Sequence, residues 1–141
     1  MTPLDLKPGR IVWARVKDSD GVARQMKKRP LVVIRGPTPG DPTFDWLASS
    51  TAVPSPESVP YTLSLDYTAS RQGHRYTKLR EPCYLDCRWT GVMAFDEIED
   101  PERDARGVLH AVQLEIVLKI VAQLRSMSGE SRPDDEASGP T

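Results

Sequence analysis

The chain has 141 residues, of which 38% are hydrophobic and 28% are charged. This composition fits one folded domain with a modest core and excludes a chain without a fold. No apolar run approaches the roughly 20 residues of a membrane-spanning helix, and no secretory signal precedes the first structured segment, so we expect a cytoplasmic protein. The charge is uneven, because residues 1–93 hold 14 basic and 9 acidic residues, whereas residues 94–141 hold 5 and 11. This asymmetry favours an anionic partner for the first part of the chain.

The first strong pattern is the alternation of Arg10–Val16 (RIVWARV), which is typical of a β-strand entered through a Pro-Gly pair. A polar stretch with a basic cluster follows as far as Arg29 and is expected to form a loop. After Pro30, the apolar run Leu31–Ile34 predicts a strand that is covered on both faces. The Pro- and Gly-rich residues 36–42 predict another loop.

Two further strands are predicted at Thr43–Ala48 and Tyr61–Leu65, and the loop between them begins with Ser49-Ser50-Thr51. Residues 66–80 are polar and basic and predict a long excursion between strands. Beyond them, Cys83–Arg88 and Val92–Ile98 read as two more strands. Residues 97–106 predict a charged loop broken by a proline.

The two cysteines, Cys83 and Cys87, lie four residues apart on one predicted strand. Four residues of strand span about 13 Å, whereas a disulfide needs Cα atoms within about 7 Å. We therefore expect two unpaired thiols that share the buried face of the strand with Leu85. A zinc site would need two more ligands at a recognisable spacing, so we predict no metal and no cofactor.

The C-terminal part predicts a helix and a tail. Leu109–Met127 is dominated by Val, Leu and Ile, and its polar residues Glu115, Lys119 and Gln123 recur every four residues. This spacing indicates a mostly buried helix with a narrow polar stripe, on which Glu115 and Lys119 form a favourable pair. We expect residues 1–127 to form a single domain, mainly β with a C-terminal helix, in the form of a small β-barrel. Residues 128–141 are expected to be a disordered acidic tail.

The order of these segments resembles the MazF/PemK family of toxin endoribonucleases from toxin–antitoxin pairs. The similar pieces are the strand that starts at Gly9, the Arg29-Pro30 dipeptide that opens an apolar strand, the Ser-Ser-Thr strand end, and the closing helix. The resemblance implies an SH3-like barrel of the MazF/PemK/CcdB-like type. It also implies a homodimer that cleaves single-stranded RNA without a metal, inhibits growth, and is held inactive by an antitoxin protein.

By position, the resemblance makes Arg29 the catalytic arginine and Thr51 the catalytic threonine, with Ser50 as the alternative. Gln25 corresponds to the glutamine of the first loop, but Arg24 stands where many members carry an acidic residue. This departure removes a carboxylate that could move protons and makes the loop more cationic. The basic and polar residues expected to contact RNA are Arg24, Gln25, Lys27, Lys28, Ser50, Arg75 and Lys78.

RNA supplies its own nucleophile, the 2′-OH, so a catalyst must orient the phosphate and stabilise the charge that develops on it. The guanidinium of Arg29 suits this role because it stays protonated and can bond two phosphate oxygens. Some group must also move protons. His74, in a basic polar loop, is the candidate that the residues themselves suggest.

Three alternatives stay open. Without the resemblance, the basic cluster around Arg29 is a solvated loop. The segment Pro8–Val16 also resembles the opening strand of PWWP-type chromatin readers, although residues 17–28 supply no aromatic residue for a methyl-lysine cage. A barrel of the toxin type that binds nucleic acid without cutting it is the third. Trp13 and Trp46 are expected to pack in the barrel, and the sequence leaves the role of Trp89 open.

Overall fold

A computed structural model describes residues 1–17 and 26–127. Within these residues, six antiparallel strands form one curled, half-barrel sheet in the order β4-β5-β3-β2-β1-β6. The strands are β1 (Arg10–Val16), β2 (Lys27–Arg35), β3 (Thr43–Ser50), β4 (Thr62–Leu65), β5 (Cys83–Ala94) and β6 (Gly107–Val108). Helices α1 (Pro101–Asp104) and α2 (Ala111–Met127) belong to the second half of the chain. The predictions for Arg24, Gln25 and the acidic tail lie outside the described residues.

The first four predicted strands are confirmed, but β2 begins earlier than its apolar residues indicate. Lys27 pairs with Val16 and Arg29 pairs with Ala14, so the ladder with β1 extends into the basic cluster. The prediction that the loop continues to Arg29 was therefore wrong. Backbone pairing with β1, which the side chains do not reveal, places Lys28 and Arg29 on a strand.

The two strands predicted between residues 83 and 98 are one long, bent strand, so that prediction was wrong. Leu47 of β3 pairs with Thr90 of β5, while Ser49 pairs with Leu85, so four residues of β5 face a single residue of β3. This bulge turns the strand without ending it. Beyond it lies Gly91, where an added Cβ would stand 2.3 Å from the Trp46 ring, so the close approach of the indole requires glycine.

The charged segment of residues 97–106, predicted as a loop, contains α1, which is a third correction. Pro101 occupies the first turn of α1, where backbone N–H groups have no partner within the helix, so the missing N–H of proline costs no hydrogen bond. The carboxylate of Asp100 caps this turn by accepting from the backbone N–H of Arg103. Pro101 therefore starts a helix, whereas a proline in a charged segment predicts a loop.

Side chains of the sheet alternate between two apolar clusters, one on each face. The Phe44 cluster is made of buried residues that include every second residue of β1; its members are Leu6, Val12, Ala14, Val16, Leu31, Val33, Phe44, Trp46, Ala48, Met93, Ile98 and Ala105. The Leu85 cluster lies on the other face, beneath α2; its members are Ile11, Val32, Leu47, Leu65, Leu79, Cys83, Leu85, Cys87, Leu109, Val117 and Val121. The strand Leu31–Ile34 thus contributes to both clusters, as the continuous apolar run predicted.

Helix α2 is confirmed, but the prediction that it is mostly buried was wrong. Val117 and Val121 are buried against the Leu85 cluster, whereas Val112, Ile116 and Leu118 are exposed. One stripe of a helix contacts a sheet, and the apolar residues outside that stripe remain in solvent. The predicted pair of Glu115 and Lys119 is present, with 3.3 Å between the charged atoms.

Within the described ranges, neither helix has the length and apolar character required to cross a membrane.

Candidate functional site

Arg29 and Ser50 line one concave depression, which we call the Arg29 groove. Leu31 of β2 pairs with Ala48 of β3, and Arg29 and Ser50 each lie two residues beyond this pair, at the same end of the two strands. The groove has a volume of about 240 Å³. Its walls are Arg29, Ser50, Ala52, Val53, Pro54, Ser58, Thr62, Tyr84, Asp86 and Trp89.

Trp89 holds the guanidinium of Arg29 in place. The central carbon of the guanidinium lies 5.1 Å from the centre of the indole ring, a distance at which a cation and an aromatic face attract each other. The indole is itself half-buried and packs against the Phe44 cluster. This contact with a partly buried ring restricts the guanidinium to the groove wall, where Arg29 contributes to the lining.

Two adjacent serines at the end of β3 have different environments. The hydroxyl of Ser49 is fully buried and donates a 2.7 Å hydrogen bond to the carbonyl of Pro30, the residue after Arg29. The hydroxyl of Ser50 is half-buried in the groove wall and accepts a 3.1 Å hydrogen bond from the backbone N–H of Ala52. Because Ser50 accepts with one lone pair, its proton is available to donate to a ligand. Ser49 therefore fixes the backbone beside Arg29, and Ser50 presents a donor beside it.

The opposite wall of the groove contains a carboxylate and a phenol from β5. Both oxygens of Asp86 contact Arg88, with Oδ1 accepting from the backbone N–H at 2.9 Å and from Nε at 3.2 Å. Arg88 also lies over the ring of Tyr61 at 4.8 Å and donates to the hydroxyl of Ser58. The hydrogen bond to Asp86 raises the pKa of Arg88 above its ordinary value. This network orients the carboxylate on the groove wall.

Thr51, expected to be the catalytic threonine, follows the last residue of β3 and is exposed. The residues on either side of it, Ser50 and Ala52, line the groove, and Thr51 is absent from the described lining. Ser50, the alternative one residue earlier, supplies a hydroxyl to the groove wall.

Lys27 and Lys28, two of the basic residues predicted to bind RNA, differ in their exposure and in their ion-pair partners. Lys27 is exposed at the start of β2. The ammonium of Lys28 lies 2.9 Å from a carboxylate oxygen of Asp104 and 3.6 Å from one of Glu99. Burial raises the pKa of Asp104, but hydrogen bonds and charges from Arg103 and Lys28 outweigh this effect and leave it below its ordinary value. Lys28 therefore anchors α1 to the sheet.

His74 lies in the excursion of residues 66–80 and is not part of the described groove lining. Its Nδ1 accepts hydrogen bonds from the backbone N–H groups of Tyr76, at 3.1 Å, and Thr77, at 3.2 Å. An Nδ1 that accepts carries no proton, so the ring proton of this tautomer resides on Nε2. Arg75 lies over the Tyr76 ring at 5.3 Å. Lys78 donates to the carbonyl of Arg75 at 2.9 Å.

The two cysteines are buried and unpaired, as their spacing predicted. Burial raises the pKa of both Cys83 and Cys87 to about 11, so the thiols stay protonated at neutral pH. Among the described residues, no three His, Cys, Asp or Glu side chains lie close enough together to hold a metal ion.

Sequence reasoning did not identify Tyr84, Asp86 and Trp89 as parts of the site. The alternation that places Cys83, Leu85 and Cys87 on the buried face already puts Tyr84 and Asp86 on the opposite face. That signal shows which way the side chains point, but it does not show that the bulge of β5 brings Trp89 beside Arg29.

No protein-family model matches this chain, and a search of curated proteins finds no match. The functional assignment therefore rests on the chemistry of the groove.

Proposed function

We propose that this protein is a metal-independent endoribonuclease that cleaves single-stranded RNA at the Arg29 groove. The observation that carries the proposal is that Arg29 and Ser50, which arise from different strands, line one depression beside two aromatic rings. A guanidinium and a hydroxyl bind a phosphodiester, and Tyr84 in the same lining offers a stacking surface for a flanking base. A groove of about 240 Å³ has no room for a duplex, which favours single-stranded RNA.

In the proposed reaction, the 2′-oxygen of the ribose attacks the adjacent phosphorus while the bond from phosphorus to the 5′-oxygen breaks. The products are a 2′,3′-cyclic phosphate end and a 5′-hydroxyl end. Arg29 stabilises the negative charge that develops on the non-bridging oxygens, and the hydroxyl of Ser50 donates to one of them. Both groups act on the transition state more than on the substrate, because the charge on those oxygens increases during attack.

The proton of the 2′-OH needs an acceptor, and the 5′-oxygen needs a donor. Asp86 is the carboxylate in the groove wall, and we assign it the role of acceptor for the proton of the 2′-OH, while the departing 5′-oxygen takes its proton from solvent water. His74, the sequence-based candidate for proton transfer, is held in a backbone turn outside the described lining. The proposal therefore expects Asp86→Asn to reduce cleavage more strongly than His74→Ala.

The wider features of the resemblance belong to the same proposal. A half-barrel sheet with a C-terminal helix is compatible with an SH3-like barrel of the MazF/PemK type. We further propose a homodimer that acts on cytoplasmic RNA, inhibits growth, and is neutralised by an antitoxin that covers the groove. Rescue of growth by co-expression of the neighbouring gene product would test this last point.

The direct test is to incubate the purified full chain with a single-stranded oligoribonucleotide in EDTA. We expect cuts with 2′,3′-cyclic phosphate ends, which Arg29→Ala and Ser50→Ala abolish or reduce strongly and Thr51→Ala leaves largely intact. Arg106→Ala is the matched control, because Arg106 is an exposed arginine outside the groove lining.

Two results would count against the enzyme. If the Arg29→Ala variant cuts RNA at the wild-type rate, the cuts come from a contaminating nuclease. Binding of RNA that depends on Arg29, without any cleavage, would favour the non-catalytic nucleic-acid-binding barrel.

A further inference from the structure

A second and larger cavity opens on the sheet face opposite the Arg29 groove. Its volume is about 800 Å³, within the range of sites for small organic ligands. Trp13 and Arg29 lie on paired strands, but Trp13 pairs with Pro30, so the two side chains leave the β1–β2 ribbon on opposite faces. The cavity is lined by Trp13, Ala69, Ser70, Arg71, Lys78, Leu79, Arg80, Glu81 and Cys83. We call it the Trp13 cavity.

Positive charge converges on this cavity from both ends of the excursion. Arg71, Lys78 and Arg80 line it together with a single described carboxylate, that of Glu81. Lys78 already donates to the carbonyl of Arg75. Arg71 and Arg80 are exposed, so their guanidinium groups can turn to an incoming anion.

The wall that carries these cations is fixed by backbone contacts. The N–H of His74 donates to the carbonyl of Leu79, and the N–H of Lys78 donates to the carbonyl of His74, both at 2.9 Å. Gly73 has a φ of +75°, and a Cβ there would lie 2.5 Å from the carbonyl oxygen of Lys78, so the two backbones touch. Lys78 itself has a φ of +64°, a conformation that residues with a side chain rarely adopt outside functional or tightly packed loops. The cavity is therefore preformed.

The remaining lining offers a surface for an aromatic ring. Trp13 is half-buried, packs on the Leu85 cluster on one side and lines the cavity on the other. Leu79 and Cys83 add apolar surface beside it, since both are buried. A planar ligand with an anionic group fits these walls, with its ring on the indole and its anion between the guanidinium groups.

We propose that the Trp13 cavity binds a nucleotide, with the base stacked on Trp13 and the phosphate held by Arg71 and Arg80. Glu81 would accept hydrogen bonds from the ribose hydroxyls or an exocyclic amino group. The nucleotide can be a free mononucleotide or one unit of an RNA strand. The site is separate from the Arg29 groove, so it does not depend on RNA cleavage there.

The experiment is a titration of the full chain, labelled with 15N, with each of the four ribonucleoside 5′-monophosphates at up to millimolar concentration. The indole N–H signal of Trp13 is assigned with a Trp13→Phe variant. We expect this signal to shift on binding and the affinity to fall at least about tenfold in Arg71→Gln/Arg80→Gln. Arg106→Gln, an exposed arginine outside the cavity lining, should leave the affinity unchanged.

Two further titrations define the ligand. Inorganic phosphate should bind more weakly than the nucleotides, because it cannot stack. A single-stranded oligoribonucleotide that is 2′-O-methylated at every position has no free 2′-OH and cannot be cut, so it distinguishes the source. Tighter binding than a mononucleotide, lost in the double variant, assigns the site to RNA. Equal or weaker binding assigns it to free nucleotides.

Three results would overturn the proposal. They are no shift of the Trp13 signal with any nucleotide, unchanged affinity in Arg71→Gln/Arg80→Gln, and inorganic phosphate binding as tightly as the nucleotides. Because Arg29→Ala leaves this cavity intact, nucleotide binding in that variant separates a failure here from a failure of the nuclease proposal.

Discussion

Two neighbouring serines should separate stability from activity. Ser49→Ala removes the donor to the Pro30 carbonyl, and the fully buried position gives water no access to replace it. An unsatisfied buried carbonyl costs about 1–3 kcal/mol of the free energy of unfolding. For a chain of this size, each kcal/mol lowers Tm by roughly 2–4 °C, so we expect a decrease of about 2–12 °C.

Ser50→Ala should behave in the opposite way. Its hydroxyl is half-buried and accepts from one backbone N–H, so water can replace it and we expect a stability change within about 0.5 kcal/mol. If Ser50 donates to the scissile phosphate as proposed, the variant loses a hydrogen bond worth about 1.5–3 kcal/mol, which corresponds to a decrease in cleavage rate of roughly 10- to 150-fold.

Urea unfolding, monitored by far-ultraviolet circular dichroism, measures both stabilities, and the slope with urea should be the same in both variants. The cleavage rate of each variant is measured well below its own Tm. If Ser49→Ala is as stable as the wild type, or if Ser50→Ala loses as much stability as Ser49→Ala, then the two hydroxyls do not have the distinct roles assigned to them.

Three other predictions concern the frame around the site. The pKa of Asp104 is lower in the folded than in the unfolded chain, so its stabilising effect is present above its ordinary value of 3.8 and is lost as pH falls through the folded value. Asp104→Asn should therefore destabilise the protein at neutral pH by about 2–3 kcal/mol. Urea unfolding at a series of pH values should also show a flatter decline of stability on the acid side for this variant. Cys83 and Cys87 should resist iodoacetamide at neutral pH and react once urea unfolds the chain, as mass spectrometry would show; rapid modification of the folded protein would contradict their burial. Gly91→Ala should destabilise by about 1–3 kcal/mol because the new methyl group overlaps the Trp46 ring, and an unchanged Tm together with unchanged tryptophan emission would contradict that close packing.

The sequence predicted the elements whose signal is local. The alternation in Arg10–Val16, the apolar run after Pro30 and the long helix all appear in the structure, because side-chain periodicity directly reflects which face is buried. The incorrect predictions concern segments whose structure depends on pairing with a neighbouring strand. The bend that joins two predicted strands into β5 comes from its pairing with β3, and the extension of β2 comes from pairing with β1.

The same division applies to the candidate site. Arg29 and Ser50 were singled out from the sequence, and the register between β2 and β3 places them in one groove. The sequence could not show that Trp89 lies against Arg29, because those residues are far apart in the chain. It also could not show that Lys28 is engaged by Asp104, which belongs to a helix whose existence the sequence analysis missed.

The alternating strands, the closing helix and two unpaired thiols on one face of a strand follow from the sequence alone, because each depends on residues a few positions away. Only the folded chain shows which side chains from distant segments meet: Arg29 with Trp89, Lys28 with Asp104, and three cations around Trp13 on the opposite face. The physical reason is that a strand's side chains have fixed directions, but strand order, register and the β5 bulge set their neighbours, and these arise from backbone hydrogen bonds that every sequence can make.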